Sequence, residues 1–215
     1  MCGRFFLDSN ARDIAEHYNA PPPEIFSARY NIAPTTPVMA YCDKRLTFFR
    51  WGLIPSWAKD ISLGNRMFNA RAETVADKPA FRQAYRRRRC LIPANGFYEW
   101  RTENERKQPY CCHLDLSLFS MAGIWEHWQD AAGNEIQSCA IITTEANHSM
   151  SDIHHRMPVH ITPDNYNAWL DCSSEKTDIP DALIRDTSPR YQYYAVNTTV
   201  NNARNEGRDL IKELE

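Results

Sequence analysis

The chain of 215 residues has no apolar run near the roughly 20 residues that a membrane-spanning helix needs. Its N-terminus also lacks the charged-then-apolar pattern of a secretory signal, so the sequence predicts a cytoplasmic protein in a reducing setting. CxxC pairs are missing, and the seven cysteines are odd in number. They read as free thiols, most of them buried packing residues, and not as a disulfide framework. Net charge is nearly absent too: 25 Lys and Arg against 27 Asp and Glu leave a formal −2. That argues against a protein that coats nucleic acid indiscriminately. Repeats, low-complexity tracts and linkers do not occur, and the length suits one domain over 1–215.

What the chain does carry is local. Arg82 and the run Arg86, Arg87, Arg88, Arg89 form a basic cluster, which fits a solvated helix face as well as a phosphate-facing patch. DSNARDIAEHY puts Ala11, Ile14, Ala15 and Tyr18 on one helical face, with Asp8 or Ser9 as cap, and the prolines at 21–23 end it. PVMAYC and RLTFFRWG alternate around a CDK turn as a hairpin, followed by the Trp-bearing loop WGLIPSWAKD. A helix is predicted from Asp77 through Tyr85, with Pro79 in its first turn. CLIPANGFYEWR reads as a strand, a turn at Asn95-Gly96 and a second strand; PYCCHL, FSMAGIWEHWQ and EIQSCAIITTEA continue as strands, with Gly133-Asn134 as a turn. TPDNYNAWLD is a helix capped by Thr162, and YQYYAVN returns to strand. The expectation is an α+β domain with a largely antiparallel twisted sheet or open β-barrel and a few flanking helices.

The opening MCGRFF puts a cysteine next to the initiator. Removal of Met1 would leave Cys2 with a free α-amine and a thiol on one framework. Two chemistries suit that pair: thiol attack on an amide with the amine as base, or amine attack on an aldehyde followed by thiol closure to a five-membered thiazolidine. An α-amine near pKa 8 is roughly a tenth neutral at pH 7, whereas a lysine near 10.4 is neutral about once in several thousand. The amine therefore holds a few-hundred-fold advantage for aldehyde capture.

Other polar groups stand out. NARAET places Asn69, a donor and acceptor, and Arg71, a phosphate fork, in an extended stretch. Glu99 sits among Phe97, Tyr98 and Trp100, an apolar setting that can raise a carboxyl toward acid–base work; alternation would equally allow an outward-facing Glu. DIHHRMP supplies His154, His155 and Arg156. Adjacent histidines in an extended segment point opposite ways, as do the neighbours in CCH at 111–113, so no metal site is predicted. One histidine suits a general acid or base.

Taken in order, MCGRF, YNIAPTTP, WGLIPSWA, NARAET, RRCLIPANGFYEW, KQPY, ITTEAN and DIHHRMP resemble the SOS response associated peptidase family. The likeness runs from Cys2 to the VNNARNEGRDLI stretch. The resemblance implies a sensor of abasic sites in single-stranded DNA, whose Cys2 forms a thiazolidine crosslink with the ring-opened deoxyribose after autoprocessing of Met1; a monomer without a cofactor is expected. It implies Asn69, Glu99 and His154 as partners of Cys2 in catalysis. Arg4, Arg71 and Arg156 would meet phosphates, and Pro34, Trp57 and Thr143 would line the strand groove. Asn95 departs from the Asp expected in many relatives. Two competing readings stand beside this one: a non-enzymatic single-strand-binding module, and an N-terminal-cysteine amidohydrolase or peptidase.

Overall fold

The computed structural model describes residues 2–173 and 178–214; Met1, with the expected processing at that position, lies outside the described residues. The strands in chain order are β1 (Phe5–Leu7), β2 (Arg29–Ile32), β3 (Pro37–Cys42), β4 (Arg45–Trp51), β5 (Asn69–Arg71), β6 (Arg89–Ala94), β7 (Gly96–Glu103), β8 (Arg106–His113), β9 (Phe119–Gln129), β10 (Glu135–Glu145), β11 (Arg156–Pro158), β12 (His160–Ile161) and β13 (Gln192–Ala195). Helices α1 (Ala11–Tyr18), α2 (Arg82–Arg87), α3 (Tyr166–Leu170) and α4 (Asp178–Leu183) flank them.

β10, β4, β3, β6 and β9 are paired in that order, and β9 pairs again with β10, so five strands close into a barrel where an open one was expected. The ring is antiparallel except where β10 meets β4. The second sheet, in the order β13, β8, β7, β1, β2, is antiparallel throughout. The α+β class and the antiparallel character thus agree with the sequence. One apolar cluster joins the barrel to the face of the second sheet that bears Phe5, Phe97 and Cys112. A smaller cluster of Phe6, Tyr98, Cys111, Val196, Val200 and Leu210 covers that sheet's other face. Each fully buried aromatic or aliphatic side chain in them contributes roughly 1.5–3 kcal/mol.

Local chemistry explains the boundaries. The side chain of Asn10, not Asp8 or Ser9, caps α1 by accepting from the Asp13 N–H, and Asn19 closes the helix in the left-handed region at φ 48°. The β3–β4 hairpin turns on Asp43 and Lys44, both at positive φ, which gives the twist that strands prefer. Asn95-Gly96, by contrast, is no hairpin turn: β6 belongs to the barrel and β7 to the second sheet. Gly96 is required because a Cβ there would lie 2.5 Å from the Phe6 ring. Asn95 Oδ1 accepts from the backbone N–H groups of Asp8 and Ser9, pinning the start of the chain. The helix expected from Asp77 begins only at Arg82, with turns over the residues before it and Pro79 outside it.

The arginine run divides. Arg89 is 2% exposed, and its guanidinium donates to the carbonyls of Tyr85, Trp169 and Asp171, capping the C-terminal ends of α2 and α3. Arg88 pairs with the buried Glu126 at 2.8 Å. Only Arg82, Arg86 and Arg87 are exposed. All seven cysteines are free thiols, six of them buried.

Candidate active site around Cys2

Topology brings four distant motifs together. Along its length β10 changes partners: it runs parallel to β4 at Ser138 and Cys139, then parallel to β5, where Ile141 faces Asn69 and Thr143 faces Arg71. Beyond that, β11 joins antiparallel, with Glu145 opposite Arg156. NARAET and HHRMP are thereby laid on either side of one strand. β1 enters from the second sheet, pairing Phe5 with Phe97 and Phe6 with Gly96. Continued by two residues, that register sets Gly3 across from Glu99.

Cys2 is fully buried just ahead of β1 and packs in the main cluster. Asn69 donates its Nδ2 to the Cys2 carbonyl at 2.8 Å, tying the two motifs directly. The Asn69 Oδ1 is buried without a hydrogen-bond partner among the described residues. Burial, and next the negative charge of Glu99, push the Cys2 thiol well above its ordinary range. Its thiolate is therefore scarce at neutral pH.

Glu99 is 3% exposed, on the Phe97 face of β7 that looks into the main cluster, so the outward orientation is excluded. Burial raises its carboxyl, with nearby positive charge opposing. His154 is partly buried, and its Nδ1 lies 2.9 Å from the Arg156 backbone N–H and 3.2 Å from the Arg156 carbonyl; the shorter contact, in which Nδ1 accepts, goes with the tautomer protonated on Nε2. Burial first, then neighbouring positive charge, lowers its pKa to about 4. His154 and His155 do not point apart: their rings stack 4.2 Å between centroids, because the chain leaves a turn there and is not extended. Cys2, Asn69 and Glu99 thus share a buried setting that drives the two ionisable side chains toward their neutral forms, and partial burial shifts His154 the same way. Among the described residues no three His, Cys, Asp or Glu side chains converge as metal ligands.

The residues expected to meet DNA are dispersed. Arg71 is exposed and lines a cleft of about 460 Å³ with Glu145, Ser151, His155 and Arg156. Trp57 is 59% exposed in another cleft of about 610 Å³, beside Lys59 and Arg66, its loop held by Trp128 Nε1 donating to the Ala58 carbonyl. Pro34 sits half-buried in the turn between β2 and β3. Thr143 is fully buried and does not line an open groove. Arg4 turns to the other face of its sheet, donating to Asn31 and to the Val200 carbonyl and lying over the Trp100 ring. Arg156 is 6% exposed and forks onto Glu73. Glu73 was not singled out from the sequence, although its place two residues after Arg71 in NARAET could have marked it.

Residues 1–203 match the profile of the SOS response associated peptidase family, SRAP. The chain is 40% identical over 222 residues to "Abasic site processing protein YoqW" of Bacillus subtilis, covering 99% of each. It is 31% identical to "Abasic site processing protein HMCES" of Xenopus tropicalis, over 76% of this chain and 56% of that longer protein. Among solved structures it is similar to a protein from Bacteroides thetaiotaomicron, with a TM-score of 0.89, 28% identity and full coverage of both chains.

Proposed function

The chain belongs to the SOS response associated peptidase family, and from that premise we propose that it processes abasic sites in single-stranded DNA by covalent capture through Cys2. The observation that carries this reading is the Asn69 hydrogen bond to the Cys2 carbonyl, which fixes the residue whose amine and thiol would react. Loss of Met1, by autoprocessing, transfers the free α-amine to Cys2. The names of the relatives support abasic-site processing as the activity.

The chemistry follows from the groups present. An abasic deoxyribose is mainly a closed hemiacetal, so the C1 hydroxyl must lose a proton while the ring oxygen gains one. The carboxylate of Glu99 takes the first and returns it to the ring oxygen as the bond from C1 to that oxygen breaks, while the His154 Nε2–H hydrogen-bonds the ring oxygen, as a neutral imidazole can. The Cys2 amine then attacks the aldehyde carbon, one N–H proton passing to the oxygen, and the carbinolamine hydroxyl leaves as water with the second N–H proton, relayed by Glu99, to give a neutral imine. The thiol adds to the imine carbon, its proton passing to the nitrogen, so aldehyde and aminothiol become thiazolidine and water. Arg71 and Trp57, the exposed members of the expected set, supply phosphate contact and base stacking along the strand, and the chain acts as a monomer.

The test is incubation of the purified protein with single-stranded DNA bearing one abasic site, with undamaged DNA as control, followed by denaturing electrophoresis and intact mass. A denaturation-resistant adduct mapped to Cys2, with Met1 absent, is the expected result. No covalent species from correctly processed, folded protein would reject the reading.

A further inference from the structure

Arg156 holds a carboxylate where a strand phosphate would have to sit. Its Nη1 donates to Glu73 Oε1 at 2.8 Å and its Nη2 to Glu73 Oε2 at 3.0 Å, a two-pronged fork of the same shape as an Arg–phosphate pair. The other Nη2 proton goes to the Thr143 carbonyl. The Nε is buried without a hydrogen-bond partner among the described residues. The Arg156 side chain is 7% exposed, so no second anion reaches its fork while Glu73 stays. Glu73 itself is 42% exposed, in the turns after β5, and can swing to solvent by side-chain rotation alone. The fork also lies where two clefts adjoin: Arg156 and Arg71 line one, Glu73 and Arg185 the other, and Glu145 borders both.

We propose that Glu73 is a built-in anionic competitor, which a DNA phosphate must displace from Arg156 before the strand is fully seated. This rests on the strand-binding part of the reading above and adds a residue that sets affinity. Weak, non-specific strands meet an occupied fork, whereas a strand already anchored by the site gains Arg156 on displacing Glu73. Glu73→Gln keeps the shape and one acceptor but removes the charge.

The experiment measures noncovalent binding of an undamaged single-stranded oligonucleotide by wild type, Glu73→Gln and Glu73→Gln/Arg156→Gln across a salt series. Glu73→Gln is expected to bind about three- to tenfold more tightly at low salt. Its log–log salt slope should steepen by about 0.7, the increment for one further phosphate on a single strand. The gain should vanish in the double variant. A second measurement needs no substitution: the ¹³C carboxylate resonance of Glu73 in the wild-type protein should shift when a single strand bearing an abasic site is bound, and hold its position when the undamaged oligonucleotide is added. Binding of the abasic strand with an unmoved Glu73 resonance, or an unchanged or shallower slope for the undamaged strand in a folded Glu73→Gln protein, overturns the competitor role and leaves strand recognition standing. Failure of the wild type to bind strands at all removes both.

Discussion

Asn69→Ala is the sharpest perturbation of the proposed site, because it separates rate from stability. The substitution removes the 2.8 Å bond from Nδ2 to the Cys2 carbonyl. A neutral hydrogen bond of this kind is worth about 0.5–1.5 kcal/mol net. If that energy holds Cys2 in its reactive orientation, covalent capture slows by about two- to twelvefold. The same change deletes the Asn69 Oδ1, which is buried without a partner among the described residues and costs desolvation energy as it stands. The two effects oppose, so stability should move by less than about 1 kcal/mol, or roughly 2–4 °C for a chain of this size. Single-turnover crosslinking followed on denaturing gels gives the rate, and thermal unfolding gives the stability. Asn69→Asp should be slower still, since a carboxylate cannot donate to the carbonyl and repels it. Unchanged rates in a folded Asn69→Ala protein would refute the claim that this bond orients the nucleophile, and a fall in Tm of ten degrees would show that it is chiefly structural.

Glu99→Gln tests the buried carboxyl. A carboxyl raised above its ordinary 4.5 in the fold contributes stability that is present below that value and lost as pH rises through the folded one. Gln should therefore raise Tm at pH 7 while changing it little near pH 4, and it should slow crosslinking at both; equal Tm shifts at the two pH values would contradict the buried titration. Cys2→Ala should abolish the adduct and keep salt-sensitive strand binding, and Cys2→Ser should also fail because oxygen closes a less stable ring. An adduct formed by Cys2→Ala would end the covalent reading. Arg89→Ala leaves three helix-end carbonyls unmet and should cost about 3–5 kcal/mol, whereas Arg86→Ala on the exposed face should cost less than about 0.5. Thermal unfolding monitored by circular dichroism distinguishes them, and similar losses for both would contradict the division of the arginine run.

What was legible in the sequence is what local periodicity controls. The α1 face and the β3–β4 hairpin follow from spacing and turn chemistry alone, whereas between β9 and β10 the turn falls on Ala131 and Ala132, just ahead of the expected Gly133-Asn134. Glu99 was ambiguous because β7 is covered on both faces, by Phe97's cluster on one side and Tyr98's on the other, so alternation does not say which side is wet. Asn95-Gly96 has the composition of a hairpin turn, but its demands are long-range: Gly96 makes room for Phe6, and Asn95 serves the backbone at residues 8 and 9. Arg89 and Arg88 look like surface charge until the ends of α2 and α3 and the carboxylate of Glu126 are in place. Barrel closure depends on β10 pairing with β9 along one edge and with the distant β4 on the other, for which no local signal exists.

Burial at Cys2 also bears on which of its two nucleophiles leads. A peptidase or amidohydrolase working in trans needs a thiolate, or a thiol with a ready base. Here burial and the Glu99 charge both push the thiol up, against thiolate formation. The same desolvation acts with opposite sign on an α-amine, because there the protonated form is the charged one, and so it favours the neutral, nucleophilic amine. One physical cause thus lowers the reactivity of sulfur and raises that of nitrogen. The order this supports is amine first, forming the imine, with sulfur closing onto it afterwards in a step that moves the thiol proton to nitrogen and creates no free thiolate. The neutral His154 is consistent with that order, since an imidazolium at the site would oppose cationic character at the forming imine. A rate of adduct formation that rises with amine deprotonation and levels off below the ordinary thiol range would fit this sequence of events. A rate that continues to climb through pH 9 and above, as thiolate accumulates, would put sulfur first and revive thiol hydrolysis as the better account of Cys2.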